Sequence, residues 1–149
     1  MTVNERPARR IVVGVDGSAP SVRAPHWAMD QAHLTDAVVE AVNAWDLTHA
    51  MAMAMIPGED LASTAGQALA DAVKGASQRR SDVTVRSHVI RGHPAEVLLD
   101  RASDAGLLVV GSHGHGGFTG ALLGSVSHRR IQHATCPVVV VRAAPDADR

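Results

Sequence analysis

Apolar residues come along this chain in short unbroken runs, separated by longer stretches where they recur at helical spacing. Ile11-Val12-Val13-Gly14-Val15 is the first run. A run this short and this apolar predicts a strand buried on both faces. Asp16-Gly17-Ser18 ends it, Ser18 suits a helix N-cap, and Ser21 to His33 reads as helix, with Pro20 and Pro25 leaving its first residue open. Ala37 to Trp45 reads as the second strand and Asp46 to Pro57 as a loop or flap. Glu59 to Arg79, rich in alanine, reads as the second helix, and Val83 to Ile90 alternates as a third strand. Arg91-Gly92-His93 reads as a turn, Pro94 suits a first helical turn, and Ala95 to Ser103 continues that helix. Leu107 to Val110 is the fourth strand and Leu122 to Ala134 the last helix. Cys136-Pro137 breaks that helix before a fifth strand, Val138 to Val141, and a polar tail from Ala143 to Arg149.

Strands alternating with helices predict an α/β domain with an open parallel sheet, and right-handed crossovers put helices on both faces. Ligands of such sheets gather beyond the carboxyl ends of the strands, where the strand order reverses. If the first and fourth strands flank that point, Asp16 and Gly111 face one crevice. No repeat, linker or low-complexity segment divides the 149 residues, so one domain with a core of about residues 10–142 is expected.

Composition narrows the classes. Hydrophobic residues are 46% and charged residues 19%, as in a globular chain. A net charge of −1 gives no bulk attraction to nucleic acid or to an anionic membrane, and 2% aromatic residues leave no stacking platform for single strands. One cysteine, Cys136, excludes an internal disulfide and suits a reducing compartment. Met1 to Arg10 lacks the apolar stretch of a signal peptide, and no run approaches the roughly 18 apolar residues of a membrane span, so a cytoplasmic location is expected.

The chemistry concentrates between Gly111 and Ser125, a glycine-rich loop that leaves the fourth strand and enters a helix. Glycines let backbone N–H groups approach an anion, and a helix start adds orphan donors and a positive dipole end. The loop predicts a nucleotide or another phosphate ligand. It is no P-loop, which needs Gly-Lys-Ser/Thr, and it lies too late in the chain for a dinucleotide fingerprint. The nine histidines raise a metal site, but His113 and His115 have no third ligand near them in sequence, and zinc needs three or four. Met51, Met53 and Met55 alternate with alanine and suit an adaptable apolar flap or a partner contact better than a soft-metal site. Cys136 reads as a structural thiol, and no nucleophile elbow supports a hydrolase.

From about Ile11 to Arg142 the chain resembles the universal stress protein family. The likeness rests on the opening Ile11 to Ser18, on the ending Cys136 to Val141, and on the loop. Gly111, Gly114, Gly124 and Ser125 fit the family's ATP-binding pattern of Gly, two residues, Gly, nine residues, then Gly and Ser or Thr. The resemblance implies strand order 3-2-1-4-5, ATP with Mg²⁺ as ligand, and a homodimer. It implies that Asp16 meets the nucleoside, that the backbone at Ala44 reads the adenine edge, and that Gly14 and Val15 line the same strand end. It implies that Val110 packs on base or ribose, that Gly111, Ser112, His113 and Gly114 wrap the ribose and α-phosphate, and that Gly124, Ser125 and Val126 hold the outer phosphates.

One position departs. Many relatives carry lysine or arginine after the second loop glycine, where this chain has His115. A neutral histidine donates one hydrogen bond and no full charge, which predicts weaker phosphate affinity that rises as pH falls. Arg129 or Arg130 could compensate, or could serve only as exposed helix charges. Val138 to Val141 would be an exposed edge strand, and the same strand of a second copy would cover it. The expected function is an ATP-binding sensor that an unidentified regulatory protein reads, with slow ATP hydrolysis at most. The alternatives are an adenylating or ATP-hydrolysing enzyme of the same fold, or a nucleotide-free interaction module.

Overall fold

The structure, a computed structural model, describes residues 9–15, 23–45, 58–111 and 131–142, with residues 58–62 as backbone only. Its elements are β1 (Arg10–Gly14), α1 (Arg23–Thr35), β2 (Val38–Trp45), α2 (Gly58–Arg79), β3 (Val85–Arg91), α3 (Pro94–Arg101), β4 (Leu107–Gly111) and β5 (Val138–Val141). All four strand pairings are parallel, and the sheet runs β3-β2-β1-β4-β5, the order that the resemblance implies. The order reverses between β1 and β4.

Both ends of β3 shift from the predicted Val83 to Ile90 for local reasons. Val83 stays outside β3 because its N–H closes a turn onto the Arg80 carbonyl at 3.2 Å. Arg91 belongs to β3 rather than to the following turn, because it pairs with Trp45. The turn proper is Gly92, at φ +153°, where a side chain would be strained and a Cβ would stand 2.9 Å from Val97 Cγ2. His93 then caps α3, its Nδ1 accepting from the Ala95 N–H at 3.3 Å, with Pro94 behind it. Of the predicted last helix, only the end from Ile131 lies among the described residues.

Strand alternation splits the core into two layers. Ile11, Val13, Val39, Ala41 and Val109 pack with Ala28, Met29 and Ala32 of α1 and with Leu69 and Ala76 of α2. Val12, Val42, Leu108 and Val110 pack on the opposite face with Leu98 of α3, Ala102 and Ile131. Among the described residues two polar side chains are buried, Glu40 and Asn43. Asn43 donates from Nδ2 to the Ala65 carbonyl at 3.1 Å and ties β2 to α2. Glu40 accepts from Arg10, which also reaches Asp104, and His88 Nε2 lies 3.4 Å from its other oxygen. Cys136 is half-buried, and burial pushes its thiol up, as suits an unreactive structural cysteine.

α1 ends two residues later than its pattern suggests. Asp36 takes the left-handed conformation at φ 57°, and the Ala37 N–H reaches back to the Ala32 carbonyl at 3.0 Å. That is a Schellman closure with aspartate in the usual glycine position, a residue type that tolerates it.

On the outside, Asp30 of α1 receives Arg79 through two bonds, at 3.1 and 3.0 Å, and Arg80 at 3.0 Å. The bond from Arg79, opposed by partial burial and reinforced by Arg80, holds the Asp30 carboxyl below its ordinary range. Asp82 is lowered likewise by its bond from His33 at 2.6 Å. A depressed folded value stabilises the protein above the unfolded pKa, and that stabilisation is lost as pH falls through the folded value. Asp30→Asn should therefore flatten the acid limb of the stability curve below about pH 4. Urea midpoints taken from pH 5 down to pH 2 measure it, and an unchanged limb would remove Asp30 from this role.

Candidate functional site

The reversal of strand order puts the carboxyl ends of β1 and β4 side by side. Their register pairs Val13 with Val109, so Val15 comes level with Gly111 two residues on. β2 and β3 pair as far as Trp45 and Arg91, two residues beyond that level. At the rise of an extended chain this is a step of roughly 6–7 Å. Among the described residues, the β2–β3 pairing thus reaches further toward the carboxyl rim than the pairing of β1 with β2.

The end of β2 presents backbone. Val42 accepts from the Val15 N–H at 2.9 Å, on the β1 side, while Trp45 accepts from the Gly92 N–H at 2.8 Å, on the β3 side. Backbone polar groups alternate sides along a strand, so the N–H and C=O of Ala44 turn toward β1, whose strand ends at Gly14. One donor and one acceptor a few ångströms apart on one edge match the paired acceptor and donor of a heterocyclic base. Ala44 has that capacity whatever its side chain, which is why no residue-type signal marks it.

The expected site residues divide three ways. Gly14, Ala44 and Gly111 reach the rim, and nothing among the described residues lies within 4 Å of where a Cβ on Gly111 would stand. Val15 and Val110 are buried, at 2% and 0% exposure, and Val110 packs against core residues on the α3 side. Val110 therefore positions Gly111 by filling the core. Asp16, Ser112, His113, Gly114, His115, Gly124, Ser125 and Val126 lie outside the described residues, as do Met51, Met53 and Met55, and Arg129 and Arg130.

Three features of the rim escaped the sequence reading. The Arg91 guanidinium sits 5.6 Å over the centroid of the Trp45 ring and braces the end of the β2–β3 pairing. The Gly92 N–H ties that end to β2. Arg23, the first residue of α1, donates from Nη1 to the Arg142 carbonyl at 2.8 Å, joining the start of α1 to the end of β5. Partners this far apart in sequence leave no local pattern.

Away from the rim, a groove of about 410 Å³ lies beside α3, lined by Arg10, Ile90, Val97, Asp100, Arg101 and Asp104. Its Arg10 and Asp104 already oppose each other, and no glycine lines it. Among the described residues no three His, Cys, Asp or Glu side chains gather as metal ligands, and no helix is long and apolar enough to cross a membrane.

Known proteins resemble the chain in sequence and in fold. A universal stress protein of Mycolicibacterium smegmatis is 42% identical over 132 residues, 89% of this chain and 45% of the relative. The chain thus spans about half the length of the curated relatives it matches. Among solved structures, a universal stress protein in complex with cAMP superposes with a TM-score of 0.64 at 26% identity, covering 92% of this chain and 98% of that one. The universal stress protein of Archaeoglobus fulgidus in complex with dAMP superposes with a TM-score of 0.67 at 24% identity, covering 89% and 97%. The sequence profile of the universal stress protein family itself matches residues 7–142. With its strand order, its profile match and its relatives in agreement, the chain belongs to the universal stress protein family.

Proposed function

We propose that the chain binds an adenine nucleotide, ATP with Mg²⁺ foremost, at the carboxyl rim between β1 and β4. The observation that carries this reading is the position of Gly111. The first glycine of the Gly111-Gly114-Gly124-Ser125 pattern stands level with Val15 at the reversal of strand order, across β1 from the Ala44 backbone that faces β1. Base at Ala44 and phosphates toward the glycine loop then follow from the step in the rim. The cAMP held by one relative and the dAMP held by another support an adenine ligand at this fold.

The nucleotide serves as a signal in this reading. Binding biases one arrangement of the protein, a regulatory partner in the cytoplasm reads it, and hydrolysis is slow at most. β5 offers the surface for a homodimer, since Val140 is 42% exposed and Val138–Val141 carries no charge that would repel a matching strand.

Calorimetric titration of nucleotide-free protein with ATP and Mg²⁺, beside Gly124→Asp, tests the site. The wild type is expected to bind in the micromolar range. The folded variant, with a carboxylate where phosphate would lie, should lose at least about 100-fold in affinity, a loss set by charge repulsion and a blocked backbone approach. Equal binding by both proteins would move the ligand off the glycine loop. No binding by the wild type at pH 6 and pH 8 would favour a nucleotide-free interaction module.

A further inference from the structure

Ala44 stands between two residues that are each tied to another element. Asn43, 5% exposed, donates from Nδ2 to the Ala65 carbonyl of α2 at 3.1 Å. Trp45 accepts at its carbonyl from the Gly92 N–H at 2.8 Å. The Trp45 ring carries a second tie. Its partner in the register is Arg91 of β3, directly opposite, so the two side chains share one face of the sheet. The guanidinium sits 5.6 Å over the ring centroid, within reach of a cation–π contact.

The chain beyond Arg91 is closely held as well. Gly92, at φ +153°, leaves no room for a Cβ beside Val97, and His93 caps α3 through its Nδ1. The cation over Trp45 thus hangs from the corner where β3 passes into α3. Arg91 itself is exposed, so it fills no part of the core.

Between these anchors the N–H and C=O of Ala44 turn toward β1. A donor and an acceptor on one edge suit one purine and oppose another. Adenine offers an acceptor beside a donor on its pairing edge, and guanine offers the two in reverse order. Such discrimination depends on the angle of the peptide, because a rotated edge loses the hydrogen bonds that distinguish the two rings.

We propose that Arg91, acting through the Trp45 ring, is a positioning residue that holds the Ala44 peptide at the angle favouring adenine over guanine. The assignment rests on the nucleotide reading above. It places part of the base selectivity one strand away from the base, on β3.

The test compares ATP with GTP, which carry the same phosphates and differ in the ring. Both are titrated with Mg²⁺ into the wild type, Arg91→Gln, Arg91→Lys, Trp45→Leu and the double variant Trp45→Leu/Arg91→Gln. The wild type is expected to prefer ATP. Arg91→Gln should lower that preference about fivefold, the scale of one cation–π contact at an exposed site, by weakening ATP and leaving GTP nearly unchanged. Arg91→Lys keeps a cation over the ring and should retain most of the preference. The double variant should lose no more than the larger of the two single losses, since both changes break one contact. An unchanged preference in Arg91→Gln overturns the proposal while leaving the nucleotide site standing. An equal loss for ATP and GTP overturns it in favour of a phosphate contact or a general structural role. Additive losses in the double variant remove the Trp45 ring as the intermediary. A wild type that binds ATP and GTP alike has no selectivity for Arg91 to support, and one that binds neither overturns the nucleotide reading itself, and this proposal with it.

Discussion

Arg10→Ala is expected to lower the folding free energy by about 3 kcal/mol, the scale on which breaking one side of a buried ion pair destabilises a protein. Glu40 is 6% exposed near the amino end of β2, and Arg10 is the described cation that hydrogen-bonds it. Removing Arg10 leaves a carboxylate in the core beside His88 Nε2, an imidazole nitrogen at 3.4 Å without a hydrogen-bond partner of its own. It also releases Asp104 in the turn after α3. The penalty belongs to the stranded charge more than to the lost attraction. Replacing both Arg10 and Glu40 by leucine should therefore restore most of the stability. Urea unfolding at pH 7 with an unchanged m-value reads both variants. A loss below about 1 kcal/mol for Arg10→Ala would mean that water reaches Glu40 and that the pair behaves as a surface one.

Leu108→Ala should cost about 3–4 kcal/mol, within the range for emptying a leucine site in a packed core. Leu108 is 0% exposed and sits in a central strand, level with Val12 on one side and Val138 on the other. Leu98 of α3, Val42 and Ile131 belong to the same layer. Its neighbours are held by ladders on both flanks, so the void has little room to close. Leu108→Met keeps the volume and should cost less than about 1.5 kcal/mol. Similar small losses for alanine and methionine would show that the layer on the α3 side relaxes around the gap.

Apolar patterning carried most of the fold. β1, β2 and β4 are near-continuous hydrophobic runs because both of their faces are covered, and that signal survives without neighbours. β3 was harder to bound. It is an edge strand whose exposed Arg86, Ser87 and Arg91 blur alternation, and its last residue is set by pairing with Trp45 across the sheet. The end of α1 was missed because aspartate stands where a helix stop signal would ordinarily show glycine. At the site, the glycine spacing pointed to phosphate without any structure. The rim's step, the direction of the Ala44 backbone and the contact from Arg23 to Arg142 were illegible for one reason. Each depends on register between strands or on residues more than 100 positions apart, and neither leaves a trace in local residue order. Val110 shows the converse. Its place in the chain suggests ligand contact, whereas its side chain packs into the core layer on the α3 side.

The uneven rim has one more consequence. On a level rim, a flat ring would rest only against chain ends, and loops alone would tell one ring from another. A ledge makes a corner, and a corner gauges an object in two directions, its thickness against the floor and its edge against the upright. Both gauging surfaces here are strands of the hydrophobic core, clamped at the far end by Arg10, Glu40 and Asp104. If the proposed nucleotide binds here, discrimination between rings inherits the stiffness of the sheet. Small repacking beneath β1 or β4 should register as altered ligand preference before it registers as lost fold.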